Sequence, residues 1–507
     1  MNAGTTVVVI VAVYLTLLIG LGVLSSMKFR GGAADYFVAS RSIGPFILFM
    51  TVFGTTMTAF AMVGSTAESF EKGVGTYGKL ASASALVHSA SFFLIGLRLW
   101  ALGKKHGYMT QIEFFRDRFE SRCMGYLLFP ILTGLLIPYL LVGLLGSGSF
   151  MAGVTRGAFP EAFASTGGSV PPWLTSLIIS GVVLSYIFMG GVRSAAWANT
   201  FQTLVFMAMA LLAFVIISVS LGGFSAASAM ADPAKAIRVG NISELSFFTY
   251  LLIPLSVGMF PHLFQNCLTA KSAKNFKFML IAHPLGIMVT WIPCILIGFW
   301  ATGALMPGTE DPIVPHSAPA NAVLGLMVGK LATPILSGFV AAGVLAAIMS
   351  SLDSQFVSLG TMFTRDIVVH SFGKDRFNDT TMVWLARGFI SFMVLITFLF
   401  SLAEPRQVFT LGVWCFSGYA SLFPLVFAAI YWKRVTKAGA YAAIFSTAVV
   451  WFLLFRASGY GANGDYLLSG MMPVTGMFAT CILVLVVVSL MTKSPSNDTL
   501  EKFFPSK

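Results

Sequence analysis

Apolar runs of about twenty residues recur along almost the whole chain, and they constrain its fold more than any other feature. A helix of about 20 apolar residues crosses the roughly 30 Å hydrocarbon layer of a bilayer, whereas barrel strands give alternating segments of about ten residues. Only 10% of the 507 residues are charged and 57% are hydrophobic, while a soluble domain is about 25% charged. The sequence therefore excludes a soluble globular protein and predicts an all-α polytopic membrane protein that contacts the lipid bilayer.

The apolar runs predict about thirteen spans. They lie near 5–25, 43–69, 75–102, 124–152, 173–190, 195–221, 247–270, 278–303, 320–358, 379–402, 406–432, 437–456 and 471–491. No basic region precedes the first run, which we interpret as a true span and not as a signal peptide. Most Lys and Arg fall in loops on one side of this arrangement. Because cytoplasmic loops are rich in Lys and Arg, we expect a multi-pass cell membrane protein with its N-terminus outside and its C-terminus cytoplasmic.

The polar residues exclude several classes of function. The net charge of +12 comes from short loops and not from a basic patch interleaved with aromatic residues, so we expect no nucleic-acid partner. The five widely spaced cysteines contain no CxxC pair, which argues against a disulfide framework or a zinc site. No catalytic constellation is found, so the chain is not predicted to be an enzyme. The tail KSPSNDTLEKFFPSK is expected to be mobile, and the oligomeric state stays open.

Two spans are interrupted by residues that weaken or break helices. The second contains VFGTTMTAFAMVGSTA (52–67), and the seventh contains PLSVGMFPHLFQN (254–266), with Gly258 and Pro261 inside an apolar run. A broken helix frees backbone groups, which a bilayer tolerates only where protein or a watery cavity receives them. Two such helices in matching positions indicate the binding site of a secondary transporter. Two kinked helices without function are the alternative.

The ninth span carries the densest polar cluster of the chain. Its members at three- and four-residue spacing, hence on one helix face, are Ala347, Ser350, Ser351, Ser354 and Ser358, and Asp353 lies within the same turn. Polar groups at membrane depth are costly and mark functional sites. Hydroxyls, a carboxylate and freed carbonyls together predict a site for a hard cation. The alternative is a polar stripe that joins helices.

Six sequence segments carry a resemblance to a known family. They are DYFVASRSIG (35–44), the interrupted span 52–67, GYMTQIEFFRDRFESR (107–122), GGVRSAAWANTFQ (190–202), GMFPHLFQNCLTAKSAK (258–274) and AAIMSSLDSQF (346–356). In this order they resemble the solute–sodium symporter family. The resemblance implies an inverted five-plus-five helix core of the leucine-transporter type. Its halves would be 43–221 and 247–432, with a peripheral helix at 5–25, two more at 437–491 and a cytoplasmic tail at 492–507.

The resemblance also implies a sodium site between the second and ninth spans, with Na⁺ as the coupling ion. Its ligands would be the carbonyl groups of Gly54, Met57 and Ala347 and the hydroxyl groups of Ser350 and Ser351. The three carbonyl roles need only a backbone oxygen, and both hydroxyl roles are filled by serine.

A second sodium position in some family members uses an Asp that this chain lacks. In the matching motif Asn199 stands where the Asp is expected. The serines that partner that Asp align with Asp353 and Ser354. We therefore hypothesise that the negative charge has moved across the site, which would place a second cation at Asp353, Ser354 and Asn199. Alternatively, Asp353 is a proton carrier or a structural hydrogen-bonding group.

By the same resemblance, the solute would bind at mid-membrane between the two broken helices. The residues that face this region would be Thr55, Thr56 and Thr58 on one side and Phe260, His262 and Asn266 on the other. The predicted function is sodium-coupled symport of a small organic solute by alternating access, with a monocarboxylate or a neutral amino acid as the favoured solute. The alternatives are a proton-coupled transporter that uses Asp353, a sodium-independent facilitator and a solute sensor.

Overall fold

The computed structural model describes residues 2–26, 44–315, 317–373, 376–403 and 407–504. Eleven of the described helices are long and apolar enough to cross a membrane, and two bent helix pairs bring the possible spans to thirteen. The described residues outside helices form turns, loops and two isolated antiparallel bridges. The predicted all-α polytopic fold is therefore confirmed. Of the segment DYFVASRSIG, all but Gly44 lies outside the described residues.

The helices are numbered in chain order. They are α1 (Ala3–Ser26), α2 (Pro45–Thr56), α3 (Phe60–Lys72), α4 (Gly78–His106), α5 (Gln111–Arg118), α6 (Met124–Val154), α7 (Pro172–Met189), α8 (Ser194–Ser220), α9 (Phe224–Met230), α10 (Glu244–Gly258), α11 (Pro261–Thr269), α12 (Lys274–Trp300), α13 (Ala320–Leu331), α14 (Pro334–Phe372), α15 (Asp379–Ser401), α16 (Val408–Tyr431), α17 (Lys437–Ala457), α18 (Val474–Met491) and α19 (Asn497–Phe503).

Both predicted interruptions are present. Helices α2 and α3 meet at a bend of 54°, and α10 and α11 meet at a bend of 53°. At the first bend Met57 is extended, with φ −92° and ψ 91°. At the second bend Phe260 is extended and Pro261 begins the next helix, because proline has no N–H to donate but suits the first helical turn.

A third break separates α7 from α8. Gly191 has φ 55° and ψ −138°, a left-handed backbone conformation that glycine adopts at little steric cost. The two helices on either side of this break correspond to the predicted spans 173–190 and 195–221.

The ninth span differs from the prediction, which gave one helix over 320–358. The structure has a short helix, α13, followed by α14, which begins at Pro334 and ends at Phe372. Thr333 is extended, because the ring of the following proline disfavours helical backbone at the residue before it. Helix α14 is buried along most of its length and packs against α1, α2, α6, α11, α15 and the α7–α8 pair.

The prediction of a mobile tail is wrong for 497–503, which form α19. The side chain of Ser496 caps this helix by accepting a hydrogen bond from the Thr499 N–H at 3.2 Å. The Glu120 carboxylate accepts hydrogen bonds from the Ser496 N–H at 3.1 Å and hydroxyl at 2.5 Å. These bonds hold the pKa of Glu120 below its ordinary value.

An aromatic contact fixes the other end of α19. Phe503 is buried, its ring lies 5.9 Å from that of His106, and the Arg118 guanidinium lies 5.6 Å from its centre. Arg118 is itself buried and donates a hydrogen bond to the Ala429 carbonyl at 2.7 Å. The tail therefore packs on the end of the bundle where α4 ends and α5 begins, which we call the tail end.

We expect Phe503→Ala to lower the free energy of unfolding by about 3 kcal/mol, the lower end of the range for a buried phenylalanine. Equilibrium unfolding in mixed micelles measures this change. Phe372→Ala is the matched control, because Phe372 is 58% exposed. Equal stability of the two variants would contradict the docking of α19.

Candidate functional site

Helix α2 lies close to α14 at Gly54. A Cβ atom at Gly54 would lie 2.8 Å from the Ser350 Oγ and would also collide with the Thr203 Oγ1. Only glycine therefore allows this approach without a shift of the neighbouring side chains. The structure thus brings together Gly54 of the second span and Ser350 of the serine helix, two residues of the predicted sodium site.

The oxygen atoms at this contact are suited to a hard cation. Helix α2 ends at Thr56, and the last carbonyl groups of a helix have no partner within the helix. The Ser350 Oγ is buried and has no hydrogen-bond partner among the described residues. The Ser351 hydroxyl donates to the Ile348 carbonyl at 2.8 Å, which leaves its lone pairs free. Unwound carbonyls of this kind coordinate Na⁺ in transporters with broken helices.

Asp353 lies one turn further along α14 and is fully buried. The Tyr186 hydroxyl donates to its Oδ2 at 3.1 Å, and the Ser354 Oγ lies 3.3 Å from its Oδ1. When the Asn199 amide nitrogen faces the carboxylate, it lies 3.0 Å from both oxygens, and the amide oxygen accepts from Ser354 at 2.8 Å. This orientation satisfies both ends of the amide.

The structure therefore brings Asp353, Ser354 and Asn199 together. Within the described part of the chain, only hydrogen-bonding groups and no basic side chain compensate the Asp353 carboxylate. In the same orientation, the Asn199 nitrogen also lies 3.1 Å from the Ser350 carbonyl oxygen. Asn199 thus links the surroundings of Asp353 to those of the first candidate site.

Sequence reasoning did not identify two members of this cluster, Gln202 beside Asn199 and Tyr186 beside the carboxylate. Gln202 ends the segment GGVRSAAWANTFQ, and its Oε1 lies 3.1 Å from the Asn199 nitrogen. Tyr186 belongs to an apolar span, where a tyrosine is unremarkable without knowledge of its partner. The motif itself was a usable signal for Gln202, whereas no local pattern marked Tyr186.

A small cavity of about 30 Å³ lies between the two bent helix pairs. The described conformation therefore leaves little open space at the centre of the helix bundle. The lining residues are Thr56, Phe60, Ser84, His88, Tyr139, Tyr250, Ile253, Pro254, Ser256, Val257, Phe260, Leu263, Trp291 and Phe416. We call this space the central cavity.

The six predicted solute residues occupy different places around the central cavity. Thr56 and Phe260 line it. The Thr55 hydroxyl donates to the Val52 carbonyl at 3.1 Å, and the Thr58 hydroxyl accepts from the Phe60 N–H at 3.0 Å.

The remaining two lie on α11, outside the lining. His262 is buried, and its ring nitrogens have no hydrogen-bond partner among the described residues. Asn266 is half-buried one turn further along the helix. Their role as solute ligands stays a prediction.

Aromatic side chains form one wall of the central cavity. The ring of Phe60 lies 4.7 Å from that of Phe416, and the ring of Phe260 lies 5.0 Å from that of Tyr139. Sequence reasoning found Phe260 but missed the other three. Aromatic residues are common in apolar spans, so only the packing of separate helices shows which of them face the centre.

A larger cavity of about 440 Å³ opens at the end of the bundle opposite the tail end. Phe409 lines this cavity, and its ring stacks on that of Phe60 at 4.9 Å. The Lys79 ammonium group lies 5.1 Å from the centre of the Phe409 ring. It also forms a buried ion pair with Glu68. The Phe60–Phe409 stack therefore separates the larger cavity from the central cavity.

The sequence model of the sodium:solute symporter family matches residues 36–447. The chain belongs to this family. The sodium/proline symporter of Staphylococcus aureus strain bovine RF122 / ET3-1 is 25% identical over 512 residues, which cover 97% of this chain and 94% of the relative. The sodium/proline symporter of strain JH9 is 24% identical over 505 residues, or 96% and 93% of the two chains.

Two solved structures share the fold. A Na⁺-coupled sialic acid symporter in a substrate-bound outward-open state has a TM-score of 0.74 and 17% identity, over 97% of this chain and 99% of that chain. A nucleobase-cation-symport-1 family transporter, in a closed conformation with bromovinylhydantoin bound, has a TM-score of 0.52 and 15% identity. The match covers 93% of this chain and 98% of that chain.

Membership of the family establishes the general function. This symporter is a multi-pass membrane protein that couples the transport of a small solute to Na⁺, and it is not an enzyme. Both the resemblance drawn from the sequence segments and the predicted coupling ion are confirmed. The boundaries of the two half-repeats stay a prediction.

We expect Gly54→Ala to destabilise the symporter by about 1–3 kcal/mol, the usual cost of adding a methyl group to a filled interior. Equilibrium unfolding in mixed micelles measures this difference. Gly134→Ala on α6 is the matched control, because a Cβ atom there meets nothing within 4 Å. Equal destabilisation by both substitutions would contradict the close approach of α2 to α14.

Proposed function

We propose that this symporter takes up a neutral amino acid such as proline, or a small monocarboxylate, together with Na⁺. The observation that carries the proposal is the contact between the open end of α2 and Ser350, directly beside a cavity without charged lining residues. Among the described residues, the lining of the central cavity is aromatic, aliphatic or neutral and polar. The sodium/proline symporters among the relatives favour an amino acid.

In this proposal the first Na⁺ lies between α2 and α14. Its ligands are the carbonyl oxygens of Gly54, Met57 and Ala347 and the hydroxyl oxygens of Ser350 and Ser351. Because the ion contacts both helices, it stabilises one arrangement of α2 relative to α14. The solute contacts the same bend through Thr56, so each ligand favours the arrangement that binds the other, and this coupling is reciprocal.

The solute lies in the central cavity between Thr56 and Phe260, with Thr55, Thr58, His262 and Asn266 in the surrounding shell. The cavity must widen to admit an amino acid, because its volume is only about 30 Å³. Separation of Phe60 from Phe409 opens it toward the larger cavity. We propose that this side is extracellular and that the tail end is cytoplasmic, in agreement with the positive loops predicted from the sequence.

Uptake into proteoliposomes tests this function. With a Na⁺ gradient and a negative interior, we expect accumulation of at least one member of a panel of L-proline, L-alanine, L-lactate and pyruvate, but not of glucose. A potential of 100 mV supplies about 2.3 kcal/mol for each net charge moved, or roughly fifty-fold accumulation. The same uptake with choline in place of Na⁺ would indicate a facilitator. Loss of uptake with a protonophore at clamped voltage, without dependence on Na⁺, would indicate proton coupling.

We further propose a second cation site at Asp353, Ser354 and Asn199. A buried charge without a counter-ion is costly, and no basic side chain among the described residues compensates Asp353. A cation would meet the Asp353 carboxylate, the Ser354 hydroxyl and, after rotation of the amide, the Asn199 oxygen. Tyr186 and Asn199 donate to the carboxylate in the described conformation, so these hydrogen bonds must loosen when the ion enters.

We expect Asp353→Asn to lower the Hill coefficient for Na⁺-dependent uptake from about two to about one, since the coefficient is limited by the number of sites. Thr361→Ala, about two turns further along α14, is the control and keeps the wild-type coefficient, because the Thr361 hydroxyl already donates to the Val357 carbonyl at 2.8 Å. Titration of uptake with Na⁺ at constant ionic strength measures both. A coefficient near one in the wild type that does not change in Asp353→Asn would refute the second site.

A further inference from the structure

A buried histidine pair on α4 and α12 borders the central cavity. His88 lines the cavity and is only 8% exposed, and its ring centre lies 5.3 Å from that of His283. Its Nδ1 has no hydrogen-bond partner among the described residues. Buried polar groups are nearly always hydrogen-bonded in native proteins, so an unpaired imidazole nitrogen beside a cavity points to a ligand.

His283 fixes the position of this pair relative to the bend in the second span. The Thr56 hydroxyl donates its proton to the Phe53 carbonyl at 2.8 Å, so it can only accept from the His283 Nε2, which lies 3.4 Å away. The proton of His283 is therefore assigned to Nε2. Phe53 and Phe92 pack against the same ring, each with centres 5.5 Å away. His283 is thus a positioning residue that holds His88 beside Thr56.

The part of the cavity lining near His88 is polar but uncharged. Ser84 lies four residues before His88 on α4 and therefore on the same face, and both line the cavity. The rings of Phe60, Phe260 and Phe416 make up an apolar part of the same lining. A solute with a polar head and a small apolar body matches this division. Since the described lining contains no Lys or Arg, a carboxylate can obtain only neutral donors there.

We propose that His88 binds the carboxylate of the transported solute through an imidazole N–H, with Ser84 beside it and His283 as its support. The inference rests on the proposed function, which puts a carboxylate-bearing solute in this cavity. The negative charge of the solute is then balanced by the Na⁺ at Gly54, two residues before Thr56, and not by an arginine. This arrangement makes carboxylate recognition depend on Na⁺ and selects small carboxylates with an apolar body.

Uptake kinetics in proteoliposomes, with L-proline and L-lactate as probes, test the proposal. His88→Leu fills a similar volume without a donor, and we expect it to raise KM by about ten- to a hundredfold, the usual effect of losing a hydrogen bond to a charged group. His88→Gln keeps an N–H donor and should stay within about fivefold of the wild type. Leu86→Ala on the lipid-facing side of α4, where Leu86 is 73% exposed, keeps the wild-type KM.

A second readout separates carboxylate recognition from a general packing role. In the wild type, L-proline should inhibit uptake of the labelled probe much better than L-prolinamide, which lacks the carboxylate. In His88→Leu this preference should fall by about the same factor as KM rises. If His88→Leu does not fold, His88→Ala removes the donor instead.

The two proposals fail in different ways. A wild-type protein that transports none of L-proline, L-alanine, L-lactate and pyruvate with Na⁺ would overturn the proposed solute class and the role of His88 with it. A wild-type protein that transports a probe, together with an unchanged KM and an unchanged preference over the amide in His88→Leu, would overturn the role of His88 alone.

Discussion

Backbone amide and carbonyl groups in a bilayer have no water to bind, and the rest of this structure follows from how they are satisfied. Most are satisfied within continuous helices. At the bend after Thr56 the ladder of hydrogen bonds stops, and side chains take over: the Thr58 hydroxyl accepts from the Phe60 N–H at 3.0 Å, and the Tyr139 hydroxyl donates to the Thr55 carbonyl at 3.4 Å. The Gly54 and Met57 carbonyl oxygens at this bend are two of the ligands that we propose for Na⁺. Breaking the helix and binding the cation are thus two consequences of one constraint.

Helix α14 connects the components of the transport site. Ser350 faces Gly54 of α2, and Asp353, one turn later, is held by Tyr186 of α7. Asn199 of α8 reaches both the Ser350 carbonyl and the Asp353 carboxylate. Because these contacts share a buried helix with tightly packed neighbours, we expect a change at one of them to affect the others. The tight packing also explains why a glycine is needed at position 54.

Phe60 links the closed state of the central cavity to the bend between α2 and α3. It begins α3 and lines the cavity, and its ring stacks on that of Phe409 at 4.9 Å. The Lys79–Glu68 ion pair lies beside Phe409 in the lining of the larger cavity. A rotation of α3 about the bend would therefore separate the stack and widen the cavity in one movement, which is the type of motion that alternating access requires.

Much of the fold was predictable because hydrophobicity and helix-breaking residues are local properties of the sequence. The spans, both interruptions and the polar face of the serine helix follow from them. The start of α14 at Pro334 was not predictable, because the apolar run continues through 320–358 and hides the break. The docking of α19 was also missed, because it depends on Arg118 and Glu120, which lie far away in the sequence.

Composition and periodicity alone establish that this chain crosses a membrane repeatedly, breaks two spans and carries a face of serine residues beside an aspartate on one helix. Which side chains meet depends on the packing of the helices in three dimensions. His88 and Trp291 look like ordinary members of apolar spans, yet both face the central cavity, while Tyr186 and Asn199 surround Asp353. The physical reason is that the direction in which a side chain points is settled by the packing of helices distant in sequence, and no local pattern records it.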